Sequence, residues 1–83
     1  MIEEQNFVRL TDLLTGEEGT ITQISNGRAV NNRLVSLGFT PGVQVGIFRN
    51  YGHGPLIVVV RGTRVALGRG EASRIVVQRS ANE

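Results

Sequence analysis

The sequence has no cysteine, no lysine and no tryptophan, and only one histidine (His53) and one aspartate (Asp12). Without cysteine there can be no disulfide, no thiolate chemistry and no zinc–sulfur site. Without lysine the G-x-x-x-x-G-K-[ST] phosphate loop is excluded, because its phosphate-reaching ammonium group has no source. A metal held within one chain needs several converging ligands. The glutamates are dispersed, apart from the adjacent pairs 3–4 and 17–18, whose side chains diverge. No metal ligand, cofactor or catalytic residue is therefore assigned. His53 is the one side chain able to act as a base near neutral pH, and nothing local orients it, so it reads as a polar loop residue between glycines. The longest unbroken apolar run, Leu56–Val60, is far shorter than the ~20 residues a membrane-spanning helix requires. Met1-Ile2-Glu3-Glu4 is acidic where a secretion signal is basic, so a cytoplasmic location is expected.

The composition describes a small folded unit. With 40% hydrophobic and 19% charged residues over 83 positions, one domain spanning 1–83 is expected, ordered over about 7–79. The polar ends, 1–6 and 80–83, are read as frayed. All nine basic residues are arginines, and they are scattered rather than massed, with a net charge of only +2. Nucleic-acid binding through charge alone is thus poorly supported.

Turn and cap chemistry organises the middle of the chain. Thr11 before Asp12-Leu13-Leu14 suggests one helical turn. Residues 18–24 (EGTITQI) are rich in β-branched side chains and read as a strand. Ile21 and Ile24 cannot share a period-two face, which predicts a bulge or an early end. Ser25-Asn26-Gly27 offers a cap for a helix over about 28–37, with Ala29, Val30, Leu34 and Leu37 on its apolar side. Gly38 sits where a left-handed closing residue belongs, and Phe39 then folds back on Leu34. Pro41-Gly42 suits the centre of a type II turn. The stretch "VQVGIF" (43–48) alternates as a strand. Residues 50–55 (NYGHGP) form a loop, and Leu56–Val60 a buried or edge strand. Arg61-Gly62-Thr63 makes a tight connection, and Val65 and Leu67 share one face of the next strand. Gly68-Arg69-Gly70 interrupts before a helical turn over Glu71–Arg74, and Ile75-Val76-Val77 closes the chain as a last strand. Close-spaced short strands predict a mostly β fold, a small barrel or sandwich. Gly38 follows a helix and so presents its carbonyl end, which disfavours a bound phosphate there.

In this order, "RLVSLGFTPGVQVGIF" (33–48) and "GPLIVVVRGTRVALGRGEASRIVV" (54–77) closely resemble the FeoA family, ferrous iron transport protein A. The resemblance is carried by Leu34, Leu37, Gly38, Pro41, Gly42, Pro55, Arg61, Gly62, Ala66, Leu67, Glu71, Ala72, Ile75 and Val77, within about 16–78. It implies an SH3-like five-stranded barrel with a helix inserted after the first strand, a barrel also found at the C-terminus of iron-dependent repressors. It further implies a non-enzymatic cytoplasmic adaptor of FeoB, a membrane transporter with a cytoplasmic GTP-binding domain. Two positions depart from the family pattern. Val59 stands where a polar outward residue is expected, making the Ile57/Val59 face a candidate for weak self-association, and Gly68 replaces a more helix-friendly residue.

The partner-binding residues expected are the exposed rim Arg33, Arg49, Tyr51, His53, Arg61 and Arg64, with Gly38, Pro41, Gly42 and Gly62 as structural turns and caps. Arg49, Arg61 and Arg64 are also the candidates for an arginine finger reaching the partner's GTP site. The alternative function is a small-barrel nucleic-acid-binding module. It needs exposed aromatics interleaved with basic residues, and only Phe7, Phe39, Phe48 and Tyr51 are aromatic.

Overall fold

A computed structural model describes residues 6–25 and 28–80, with 28–31 through their backbone alone. The elements are β1 (Phe7–Arg9), a 3₁₀ turn (Leu10–Asp12), β2 (Glu18–Ile24), α1 (Arg28–Ser36), β3 (Gln44–Arg49), β4 (Leu56–Val60), β5 (Thr63–Leu67), α2 (Arg69–Ala72) and β6 (Ile75–Arg79). The strands join one antiparallel sheet in the order β1-β6-β2-β3-β4-β5. The mostly β expectation holds, with six strands in place of five. The additional strand is β1, three residues too short to show a period, and it exists because the edge of β6 accepts it.

Inward residues of the strands build the core, and Leu10, Leu13, Leu34, Phe39 and Ala72 close it from outside the sheet. Period-two burial is clearest in β4, where Leu56, Val58 and Val60 point in while Ile57 and Val59 are half-buried. The bulge expected in β2 lies between Ile21 and Gln23. There the Thr22 hydroxyl donates to the Val76 carbonyl at 3.1 Å.

The helix ends as its sequence requires. Gly38 takes φ 101°, the Phe39 N–H bonds the Leu34 carbonyl at 2.9 Å, and the Gly38 N–H bonds Val35 at 2.9 Å. This is the full pair of Schellman bonds. Gly42 follows at φ 92° with Val43 N–H on the Thr40 carbonyl, a type II turn whose second central position admits glycine with no Cβ clash. Of the expected cap Ser25-Asn26-Gly27, residues 26 and 27 lie outside the described residues. Ser25 bonds the Arg74 carbonyl through both its N–H and its hydroxyl.

Several expected boundaries move. The first helical turn spans Leu10–Asp12 in place of Asp12–Leu14, because the Asp12 carboxylate accepts the Arg9 N–H at 3.2 Å. Asn6 and Ser80 are not frayed: the Arg79 N–H bonds the Asn6 carbonyl and the Ser80 N–H the Glu18 carbonyl, both at 2.9 Å. Helix α2 starts at Arg69, not Glu71, so Gly68 is its N-cap and Gly70 lies inside it. Burial of Ala72 and anchoring of Arg69 outweigh the poor helix propensity of glycine.

Gly68 has an ordinary extended backbone (φ −65°, ψ 155°), and a Cβ there would meet no atom within 4 Å. Gly68→Ser should therefore stabilise the fold by about 0.5–1 kcal/mol, adding a capping hydroxyl and restricting the unfolded chain. Urea denaturation checks this, and an unmoved midpoint would show that the hydroxyl does not cap α2.

Candidate functional site

The outer face of β3, β4 and β5, with the loop after β3, brings together two exposed aromatics, Phe48 and Tyr51, and the arginines 49 and 64, while the exposed Phe7 lies on β1. In β3 the register shifts between Ile47, paired with Val58, and Arg49, paired with Ile57. The extra residue, Phe48, is a bulge, and as a result Phe48 and Arg49 are both exposed in succession. Across the sheet, Val59 pairs with Arg64 and Ile57 with Ala66. The Arg64 guanidinium lies over the Phe48 ring, 3.9 Å from its centroid. Arg49 lies 5.3 Å from the same centroid and 6.0 Å from that of Tyr51. Such contacts contribute about 0.5–1 kcal/mol each at exposed sites, enough to hold the guanidinium groups in place. Phe48 and Tyr51 nevertheless stay 37% and 68% exposed.

The loop carrying Tyr51 and His53 is fixed from beneath. The Asn50 amide donates to the carbonyls of Thr11 (3.2 Å) and Leu13 (2.7 Å), and its oxygen accepts from Gly52 N–H (2.9 Å) and Arg69 Nη2 (3.1 Å). Arg69 Nη1 donates to the Gly54 carbonyl at 2.9 Å. The Thr15 hydroxyl accepts the Asn50 N–H at 2.9 Å. Sequence reasoning assigned no role to Phe48, Asn50 or Arg69. Asn50 carried one signal, since asparagine two residues before a turn glycine commonly bonds that glycine's N–H.

Arg61 occupies the β4–β5 turn with φ 51°, the one positive φ outside glycine among the described residues. With Gly62 at φ 78° it forms a two-residue type I′ turn. Its side chain covers Gly38, where an added Cβ would lie 3.4 Å from Arg61 Cδ. It also lines a groove of about 400 Å³ together with Glu17, Glu18, Gln44, Gly46, Phe48 and Val59. Left-handed geometry costs a non-glycine residue about 1 kcal/mol. Arg61→Asn, which favours this turn, should therefore raise stability by about 0.5–1 kcal/mol in thermal unfolding. An equal or lower midpoint would mean that packing over Gly38 outweighs the strain.

Among the expected rim residues, Arg49, Tyr51, Arg61 and Arg64 thus lie on or border this face. His53 stays in the adjoining exposed loop. Arg33 belongs elsewhere: on α1 it donates to Glu71 of α2, and the bond and charge of Glu71 push the guanidinium's pKa still higher. The ion pairs seen among the described residues are Arg33–Glu71 and Arg79–Glu17, and neither involves Arg49, Arg61 or Arg64. No three described metal-binding side chains cluster. No described helix is long and apolar enough to cross a membrane.

Comparison with known proteins places this architecture among relatives. The FeoA domain family matches residues 8–79. A Methanocaldococcus jannaschii protein curated as Fe(2+) transport protein A is 38% identical over 63 residues, 76% of each chain. A crystal structure described as iron uptake regulatory protein (FeoA) superposes with a TM-score of 0.85 at 34% identity, covering 89% of this chain and 99% of that one. The FeoA of Stenotrophomonas maltophilia, solved with zinc and described as a prokaryotic SH3 domain protein, gives 0.76 at 32% identity over 86% and 89% of the two chains.

Proposed function

The chain belongs to the FeoA family, and from that premise we propose that it is a non-enzymatic cytoplasmic accessory of ferrous iron transport that docks on a FeoB-type membrane transporter. The observation carrying this reading is the family match over residues 8–79, which includes nearly all of the described barrel. On this reading the chain acts by contact. An accessory of this kind changes a transporter only by binding one of its conformations better than another, and each 1.4 kcal/mol of that preference shifts the populations tenfold. The face carrying Phe48, Tyr51, Arg49 and Arg64 is the surface best suited to it.

Capture of full-length FeoB by the immobilised chain, with and without guanine nucleotide, tests this. The expected result is retention whose strength depends on nucleotide state; no retention in any state overturns the reading. The rate of GTP hydrolysis by the isolated GTP-binding domain should be unchanged when the chain is added. A rise of ~10³–10⁵ would instead assign an arginine finger to Arg49, Arg61 or Arg64.

A further inference from the structure

One row of residues crosses the outer face from β2 to β5. Glu18 pairs with Gly46, Gly46 with Val59, and Val59 with Arg64. Residues opposite one another in a ladder point to the same side of the sheet, so the row reads acid, gap, apolar, base. Neighbouring strands lie about 4.8 Å apart, which sets Glu18 and Arg64 about 14 Å from each other along the row. The Glu18 carboxylate accepts from the Gln44 amide at 2.9 Å, and the Arg64 guanidinium lies on the Phe48 ring. The ion pairs seen among the described residues include neither end of the row. The gap has no cause within the chain. Gly46 has no positive φ, and an added Cβ would meet Glu18 Cγ at 3.6 Å and the Glu17 carbonyl at 3.9 Å, both ordinary contacts. Glycine weakens a strand interior, and it often marks a place where another chain or a ligand approaches closely. Here it opens the groove that Glu18, Phe48 and Val59 also line.

We infer that a second copy of this chain covers this face, the two sheets packing face to face about a two-fold axis parallel to the strands. The row is its own complement. A two-fold midway between Gly46 and Val59 sets Glu18 of each copy opposite the partner's Arg64, and Val59 opposite the gap over the partner's Gly46. The same operation brings the exposed Phe48 of β3 over the half-buried Ile57 of the partner's β4. Each ion pair then occurs twice, at the two ends of the shared row, with the apolar side chains between them. A foreign segment would have to present a base, an apolar side chain and an acid at this spacing, whereas the chain supplies them itself. A nucleic acid would bring its phosphates against Glu18. Four strands and a few rows of side chains make less than the ~800 Å² per partner of a standard interface, so the dimer is a weak one, populated in the high micromolar range. The pairing does not depend on the accessory reading above. It uses Phe48 and Arg64 of the same face, so self-pairing and docking exclude each other, and the dimer is the unbound form.

Sedimentation equilibrium of the whole chain at high micromolar concentration tests this. The wild type should show a concentration-dependent rise toward twice the monomer mass. Glu18→Arg alone and Arg64→Glu alone each set like charges opposite one another and should raise the dissociation constant at least about tenfold. Mixed in equal amounts, the two variants should associate again, because one copy then carries arginine at both ends of its row and the other glutamate at both. The doubly reversed chain should dimerise with itself. Both side chains are exposed, so the barrel tolerates these changes, and recovery in the mixture cannot come from unfolded chains. A wild type that stays monomeric throughout this range, single variants that dimerise as well as the wild type, or a mixture that stays monomeric would each overturn the pairing. No transporter enters this measurement. A monomeric wild type therefore leaves the accessory reading standing, and failed capture of FeoB leaves the dimer standing.

Discussion

Phe39→Ala is expected to destabilise the domain by about 3–5 kcal/mol. The Phe39 ring is completely buried, among the largest side chains so enclosed, and it caps the core where α1 turns into β3. Its backbone N–H bond to Leu34 survives the substitution, so the loss comes from the side chain: removed apolar contact plus a cavity that the packed strands cannot collapse to fill. Small domains are stable by about 5–15 kcal/mol in total, so this one change consumes a large fraction of the margin. Urea unfolding should show a lower midpoint at unchanged slope. Phe39→Leu, which refills much of the space, should cost markedly less. Because Leu34 belongs to the same buried cluster, the double change to alanine should cost less than the two single losses together. A Phe39→Ala penalty under about 1 kcal/mol would refute the assignment of this ring as the core's plug.

Asn50→Ala is the second large expected effect, about 2–3 kcal/mol. The cost arises from orphaned partners: the Thr11 carbonyl within the 3₁₀ turn, the Leu13 carbonyl just after it, the Gly52 N–H, and one arm of Arg69 all lose the amide that satisfies them. Asn50→Asp separates the contributions. It keeps the oxygen that accepts from Gly52 and Arg69 but faces the Thr11 and Leu13 carbonyls with no donor, so an intermediate loss is expected. Asn50 also ties the exposed loop to the barrel, so Asn50→Ala should speed hydrogen exchange at Gly52 beyond the change explained by global stability. Exchange at Gly52 that tracks global unfolding alone would show that Arg69 and Thr15 hold the loop without it.

Much of this architecture was legible in the chain because its determinants are local. A glycine after an apolar helical stripe, with an aromatic next, has one low-energy way to end the helix, and Gly38-Phe39 takes it. Pro41-Gly42 likewise fixes its turn through two φ angles, and the alternation of Leu56–Val60 follows from the pleat of a strand. The start of α2 was not legible, because Arg69-Gly70 has poor helix propensity until Asn50 and the Gly54 carbonyl hold the arginine. Strand β1 was not either, since three residues carry no period.

The functional face divides in the same way. Its family-like turn, Arg61-Gly62, can be read from the residues, and so can the exposure of a loop built from Tyr51, Gly52, His53 and Gly54. The stacking of Arg64 and Arg49 on one ring required the bulge at Phe48, and the half-buried amide beneath the loop joins residues 37 and 39 positions apart. The sequence by itself determined the caps, the turns and the inward rows of the strands, since steric limits act within a few residues. Only the tertiary structure decided which side chains share the outer face and which strand edge stays open, because one inserted residue in a ladder changes the facing of those around it, and no local preference encodes the register between distant strands.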